Sequence, residues 1–432
     1  MLKMRKMKDS GIEWIGEIPE GWEVKRLGAI LQERNEVNNP IQTTSILSLT
    51  NNRGVIPYSE KGNQGNKAKD DLTGYKIAHI GDIVLNSMNV IIGSVGLSNY
   101  YGAVSPVYYM LFPRNNIETN IQYYNYLFQT TAFQQSLRGY GNGILEIRMR
   151  IQMQKLKTVL LPVPTFLEQS NITVYLDASL SKLNILLSKT RSSIEEYKKL
   201  KQAVITQAVT KGVRGEREMK DSGIEWIGEI PKEWAVQKIK SISSRINVGV
   251  VIRPSEYFDE NGTVPFLRGI NVKEYVISSD SMVYINESSN RLLSKSQVHT
   301  DDILIVRDGS IGTSCVVPAE YDGANVVSMV IVTPSISCDS RFICYSLNSD
   351  VGKTQFTLTK IGSALTHTSV SAVSDIIVAV PSCAEQKEIA DYLDAKCAEI
   401  DKLIAKKEQL VKELESYKKS LIYEVVTGKR EV

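Results

Sequence analysis

Residues 7–19 read M-K-D-S-G-I-E-W-I-G-E-I-P, and residues 219–231 read the same thirteen letters. Local propensity does not produce a run of identity this long, so the chain carries two copies of one unit. The likeness extends to Trp22 and Trp234, and all four tryptophans (Trp14, Trp22, Trp226, Trp234) lie in the two copies. Each is read as a pin holding the start of a domain to its core, with contact to a partner subunit as the alternative. A second matched pair closes each half: Pro164, Glu168 and Gln169 correspond to Pro381, Glu385 and Gln386, and Y-L-D-A at 175–178 recurs at 392–395. The offset is 212 in the opening segment and 217 in the closing one, so the second half is five residues longer and gains them in its middle. A chain of 432 residues has room for two cores, because single cores rarely grow past about 250–300 residues. A period near 215 is far too long for a solenoid.

The closing segments repeat at helical spacing. Leu180, Leu183, Leu187, Thr190, Ile194, Tyr197, Lys201, Val204 and Ala208 are three or four apart, as are Cys397, Ile400, Ile404, Lys407, Val411, Leu414, Lys418, Leu421 and Val425. Such seams, with Lys, Glu, Ser and Gln between them, mark helices of about 30 residues, or ~45–50 Å, that can bury each other as an antiparallel pair. Gly212 and Gly428 suit their C-terminal caps. The alternative is that each helix lies on its own domain.

The middles of the two halves diverge, yet share one shape. I-G-D-I-V-L at 80–85 runs into N-S-M-N and then a glycine; D-D-I-L-I-V at 301–306 runs into R-D-G-S and then a glycine. A polar turn, a buried strand, a polar loop and a glycine bend are expected in each, with helical pieces such as 121–137. The fold class is therefore α+β: two homologous mixed α/β domains joined by two long antiparallel helices with pseudo-two-fold symmetry. The expected boundaries are 1–163 and 213–380 for the domains, with 164–212 and 381–432 for the helical regions. The loop after the strand is polar in both halves but built from different residues. That fits one scaffold presenting different side chains to different base sequences, or surface drift in a tolerant loop.

Much chemistry is absent from the sequence. With no P-P dipeptide, the D/N-P-P-Y/F motif of adenine-N6 methyltransferases is missing, and Gly352-Lys353-Thr354 lacks the upstream glycine of a phosphate loop. His79, His299 and His367 have no metal-ligand spacing with another His or Cys. Five cysteines, all in the second half and without a C-x-x-C pair, argue against a disulfide framework and a zinc site. A nuclease built on Glu13, Glu17 or Glu23 is disfavoured: the E-x-K at 23–25 becomes Ala235 and Gln237 in the second copy. No segment has the ~18 consecutive apolar residues of a membrane span, and no apolar stretch follows the basic first ten residues as in a secretory signal. The expectation is a cytoplasmic recognition or scaffold component.

The order of I-E-W-I-G-E-I-P-x-x-W, variable body and P-x-x-x-E-Q helix, repeated, resembles the specificity subunit of type I restriction–modification systems. G-V-I-P at 54–57 with G-A-V-S-P-V-Y at 102–108 is similar to one type of target-recognition domain, and P-F-L-R-G-I-N-V at 265–272 to another. The resemblance implies a subunit without catalysis of its own. Its two domains would read a bipartite, asymmetric site on double-stranded DNA, and the helices would set their separation. Two modification subunits would carry adenine methylation, and restriction subunits would join them. The chain itself would hold no cofactor; S-adenosylmethionine, ATP and Mg would lie on the partners. The competing reading is a coiled-coil adaptor that never meets DNA. Net charge is +5 over 1–165, +3 over 166–212, −4 over 213–380 and −1 over 381–432. The acidic second body thus predicts that tight DNA binding needs the modification subunits. By residue type, loop placement and the family's plan, the candidate DNA contacts are Asn86, Asn89, Arg138, Asn142, Arg148 and Arg150 in the first domain. In the second they are Arg268, Asn271, Arg307, Ser310, Lys360 and His367.

Overall fold

The computed structural model describes residues 5–51, 53–62, 67–142, 150–361 and 367–432. It divides into two units, Met1–Thr190 with Gln409–Val432, and Arg191–Glu408. Each unit therefore joins one body to part of both closing helices.

The core of the first unit is a four-stranded antiparallel sheet in the order Leu31–Arg34, Tyr108–Pro113, Ile83–Asn86, Val95–Leu97. The second repeats it as Ser243–Val248, Met329–Pro334, Ile303–Val306, Ser314–Val316. The two matched strands, Ile83–Asn86 and Ile303–Val306, are buried along their length, as short continuous apolar runs should be. The polar turn before each strand has a structural purpose that composition does not reveal. Asp82 is buried and takes Arg34 Nε at 2.9 Å and the His79 backbone N–H at 2.9 Å. Asp302 takes Arg245 Nη2 at 2.7 Å and the His299 N–H at 2.9 Å. A buried carboxylate is tolerable because each is paired and hydrogen-bonded. Around the shared sheet the bodies differ. The first has the hairpin Leu47–Thr50 with Gly54–Pro57, whereas the second has a three-stranded sheet of Val283–Ile285, Val264–Leu267 and Asn325–Val326, the last strand parallel. The helical piece expected over 121–137 is two helices, Ile121–Gln129 and Thr131–Ser136, because Thr130 leaves helical geometry and caps the second by accepting Phe133 N–H at 3.3 Å.

The closing helices, Phe166–Lys211 and Cys383–Val426, have 46 and 44 residues, longer than the 30 expected. The extra length precedes each seam, where the helix packs on its own body. The P-x-x-x-E-Q motif shows how. Gln169, buried, donates to Pro164 O at 2.9 Å and accepts from Asn120 N–H at 2.8 Å; Gln386 donates to Pro381 O at 3.0 Å and accepts from Asp339 N–H at 2.9 Å. Glu168 accepts from Trp22 Nε1 at 3.2 Å and from Arg5, and Glu385 accepts from Trp234 Nε1 at 3.2 Å and from Arg217. Arg5 and Arg217 also lie over the indoles, 5.5 and 5.6 Å from the ring centroids. Trp22 and Trp234 are buried pins; Trp14 packs edge-on against Phe133, while Trp226 is 37% exposed.

Each unit pairs its two helical stretches antiparallel. In the second unit Lys201 Nζ meets Asp401 at 2.7 Å, and Lys407 lies 5.6 Å over the ring of Tyr197. In the first unit Lys418 Nζ donates to Asn184 Oδ1 at 2.8 Å. Residues 184 and 401 are 217 apart, as are 201 and 418. One contact is thus built twice, with an ion pair in one unit and an amide in the other. Gly428 requires its positive φ of 73°, and a Cβ there would lie 2.5 Å from Pro19; this turn brings the end of the chain onto the Trp22 clamp. All five cysteines are free; burial pushes the Cys315 thiol up to about 12 and holds Cys344 well above the ordinary thiol range, which makes both unreactive.

Candidate nucleic-acid interface

In each unit the polar loop after the matched strand is stitched to a distant segment. In the first unit Ile151 N–H donates to Ser87 O at 2.9 Å, and Ser87 Oγ donates to Val107 O at 2.8 Å. Arg150–Ile151 pairs antiparallel with Gly141–Asn142. Asn51 Nδ2 reaches Ile92 O at 3.0 Å and ties the hairpin tip to the same loop. The second unit repeats the stitch: Thr368 N–H donates to Arg307 O at 3.1 Å, and Arg307 Nε returns a bond to Thr368 O at 2.9 Å. A third segment joins there, since a Cβ on Gly269 would lie 3.4 Å from Val306. Loops distant in sequence therefore form one continuous edge at the end of the central sheet of each unit.

The candidate residues divide on this geometry. Asn89, half-buried, opens the short turn Val90–Ile92; Arg150 is exposed at the stitch, and Asn142 pairs with it by register. Arg138 is exposed on the turn Leu137–Tyr140 just upstream. In the second unit Arg307 and the half-buried His367 flank the stitch, exposed Ser310 follows in the loop, and Arg268 sits beside Gly269. Lys360 lies near the end of the helix Asp350–Ile361. Arg148 is outside the described residues. Two candidates are buried. Asn271 is 0% exposed; it accepts the Arg268 N–H at 3.0 Å and donates to Ser278 O at 3.1 Å and Asp280 O at 2.9 Å, which uses both amide hydrogens and one lone pair of the oxygen. Asn86 is buried, and its Oδ1 accepts the Met88 N–H at 3.0 Å. Asn271 holds its loop in shape and, fully buried, is in no position to read a base, whereas Asn86 commits its Oδ1 to the loop.

The charge at the edge is also selective. Arg217, Arg245 and Arg341 in the second unit are neutralised by carboxylates. Among the described residues Arg307 bonds only a backbone carbonyl, and Arg268 bonds Ser281 O while its buried Nε finds no acceptor. These two arginines bring uncompensated positive charge to an otherwise acidic domain. Sequence reasoning missed Ser328, whose left-handed φ of 49° brings its hydroxyl to 3.4 Å from Asp308 at the same edge, and it missed Asn51. Neither carries a local signal, since long-range strand pairing places both. It also missed the Arg5 and Arg217 clamps, which were findable: both fall at the 212-residue offset, two positions before the identical run. Among the described residues no group of His, Cys, Asp and Glu could hold a metal ion, and no helix is long and apolar enough to cross a membrane.

Two α+β units built on one plan, each ending in an edge of converging polar loops and each joined to a long helix pair, define a duplicated recognition protein. The family model for the type I restriction modification DNA specificity domain matches twice, over residues 19–196 and 231–413, and the chain belongs to that family as a two-domain specificity subunit. It is similar to the putative type I restriction enzyme MjaX specificity subunit of Methanocaldococcus jannaschii, with 27% identity over 96% of this chain and 95% of that one. It is similar also to the MjaVIII specificity subunit of the same organism, with 25% identity over 95% and 93%. A solved structure described as the structural basis of complex assembly and conformational transition of the type I R-M system shares the fold: TM-score 0.74, 13% identity, 96% of this chain and 99% of that one. The HsdS subunit from Thermoanaerobacter tengcongensis aligns with TM-score 0.53, 15% identity and 96% and 98% coverage. Near full-length similarity to specificity subunits displaces the adaptor reading.

Proposed function

We propose that each unit reads one half of a bipartite, asymmetric site on double-stranded DNA through its loop edge, and that the chain thereby directs adenine methylation and restriction by partner subunits. The observation that carries this reading is the same sheet and the same stitch built twice, under loops whose side chains differ. Asn89, Arg138, Asn142 and Arg150 serve the first half-site, with Arg148 beside them in sequence; Arg268, Arg307, Ser310, Lys360 and His367 serve the second. Arginines bond guanine edges or phosphates, and asparagines suit adenine. The chain performs no chemistry of its own. Two modification subunits supply methyl transfer with S-adenosylmethionine, and restriction subunits supply ATP- and Mg-dependent work, in the cytoplasm of a prokaryote. Because the second body is acidic, the modification subunits complete the grip on the phosphates.

Methylome sequencing of the host with and without the gene tests the reading. One gapped N6-methyladenine motif should vanish with the gene. If every methylated motif persisted, the reading would fail.

A further inference from the structure

In the second unit, Val272–Lys273 pairs with Val276–Ile277 in a short hairpin that continues directly from Arg268, Gly269 and Asn271. Loop and hairpin are bonded into one piece. Asn271 donates to Ser278 O at 3.1 Å, the Ser278 N–H donates to Asn271 O at 2.7 Å, and the Arg268 guanidinium bonds Ser281 O. At the hairpin tip Tyr275 takes a left-handed φ of 70°, which a bulky side chain rarely adopts. Its N–H donates to Ser314 O at 3.0 Å. Its ring lies against Tyr345, with centroids 4.8 Å apart, and Lys201 Nζ sits 5.7 Å from its centroid. The thiols of Cys344 and Cys397 are near its hydroxyl. Glu274 beside it pairs with Lys353 at 2.8 Å, and Lys353 also donates to Gln202 Oε1 at 3.0 Å. The tip thus reaches both closing helices and the body helix Ser340–Asn348.

The first unit builds the same seat without a ring in it. Its hairpin, Leu47–Thr50 with Gly54–Pro57, packs on Val95–Leu97 as the second packs on Ser314–Val316. The body helices Ile121–Gln129 and Ser340–Asn348 correspond, with Asn120 and Asp339 capping them alike. On that correspondence, and on the 217-residue offset of the closing helices, the residues around the Tyr275 ring have counterparts. Tyr345, Cys344, Cys397 and Lys201 become Tyr126, Asn125, Leu180 and Lys418. Tyr126 and Tyr345 donate to matched carboxylates, Asp177 and Asp394. Among the described residues, all four counterparts line an open groove of about 830 Å³. The hairpin tip there carries Arg53, which also lines the groove and pairs with Glu60. The seat therefore belongs to the shared plan, and the ring that fills it to the second unit.

We infer that Tyr275 is a positioning residue for DNA reading: seated against Tyr345 and Lys201, its ring fixes the loop that carries Arg268. The inference rests on the proposed function, which makes that loop a reader. Strained backbone persists only where surrounding contacts over-determine it, and here those contacts surround the ring. Without the anchor, the tip would relax from its left-handed conformation and carry the bonded loop with it. The ring's shape matters and its hydroxyl does not, since the buried hydroxyl has no hydrogen-bond partner among the described residues. An unpaired buried hydroxyl costs stability, so phenylalanine should serve at least as well. Tyr275 lies against the helices and acts on the bases through Arg268.

Methylome sequencing of a host carrying single variants of the full chain tests it, with thermal melting to confirm that each variant folds. Arg268→Ala first defines which bases of the gapped motif depend on the loop. Tyr275→Gly tolerates the left-handed backbone but removes the ring. Discrimination at those same bases should then fall about tenfold, within what one base contact supplies. Tyr275→Phe should leave the motif as in the wild type. Lys353→Ala removes the Glu274 tie and spares the ring; it should relax the same bases less, and it stands in if Tyr275→Gly does not fold. Ile389→Val truncates the same core elsewhere on the closing helix; it controls for lowered stability and should change no base. The other half of the motif should be unaffected throughout. An unchanged motif in folded Tyr275→Gly, the same relaxation in Ile389→Val, or a relaxed motif in Tyr275→Phe would each overturn the inference. So would an unchanged motif in Arg268→Ala, with the functional reading left standing. A wild type without any gene-dependent gapped motif would remove the functional reading and this inference with it.

Discussion

Replacing Glu385 by glutamine should destabilise the second unit far more than the matching Glu168→Gln destabilises the first. The two carboxylates make the same contacts, to an indole N–H and an arginine, but differ in burial: the side chain of Glu385 is 3% exposed and that of Glu168 is 31%. Breaking a buried pair by removing one charge costs about 3–5 kcal/mol, because the other is left uncompensated. Arg217 retains Glu233 at 2.6 Å, which places Glu385→Gln near the lower end, at about 3 kcal/mol. Exposed pairs contribute about 0–1 kcal/mol, so Glu168→Gln should cost about 1 kcal/mol. For units of this size a kilocalorie moves the melting midpoint by about 2–4 °C, giving ~6–12 °C against ~2–4 °C in calorimetric scans of the full chain. Equal shifts would refute the argument from burial, and a Glu385→Gln shift under about 2 °C would refute the clamp itself.

Other outcomes follow from individual contacts. Gly312→Ala should cost at least ~2 kcal/mol, because its φ is +88° and the new Cβ would lie 2.7 Å from Phe356 Cγ, whereas Gly309→Ala, with φ +76° and open space, should cost about 1 kcal/mol; urea titration of both variants separates them. Burial opposes charge on Glu168, but hydrogen bonds from Trp22, Thr165 and Arg5 outweigh it and hold the carboxyl below its usual range. Its contribution is therefore complete above the unfolded value near 4.5 and lost as pH falls through the lowered folded value, so melting of wild type and Glu168→Gln should converge as the pH falls through that range. Asp401→Asn turns the Lys201 contact into its Asn184-type counterpart and should change stability by no more than about 1 kcal/mol, with any loss shrinking at high salt.

The helix seams were the most legible part of this chain. All eighteen seam positions named from spacing are buried or half-buried in their units. Two matched sets with the same polar exceptions are hard to produce except by helices that bury that face. The helix length was not legible, because residues 166–179 pack on a body with its own geometry and so lose the seam pattern. The strand, loop and glycine bend of each body were readable from turn chemistry, and Gly93 and Gly312 do take positive φ. The role of Asp82 and Asp302 was not, since their arginines lie 48 and 57 residues away on another strand. The same limit governs the interface. Composition identified loops rich in Asn and Arg, but whether an amide points outward depends on acceptors that folding brings near. Asn271 turned inward for that reason, whereas Arg307 and Arg150 stayed at the edge.

The most direct test of two independent readers on one chain is the methylated motif itself after loop substitution in one unit at a time. Arg307→Ala with Ser310→Ala should relax or abolish bases in one half of the gapped motif and leave the other half and the gap unchanged, at roughly 1–3 kcal/mol of lost discrimination per base. Arg150→Ala with Asn89→Ala should do the same to the opposite half. If either pair of substitutions altered both halves together, or neither, the account of one edge for each half-site would be wrong.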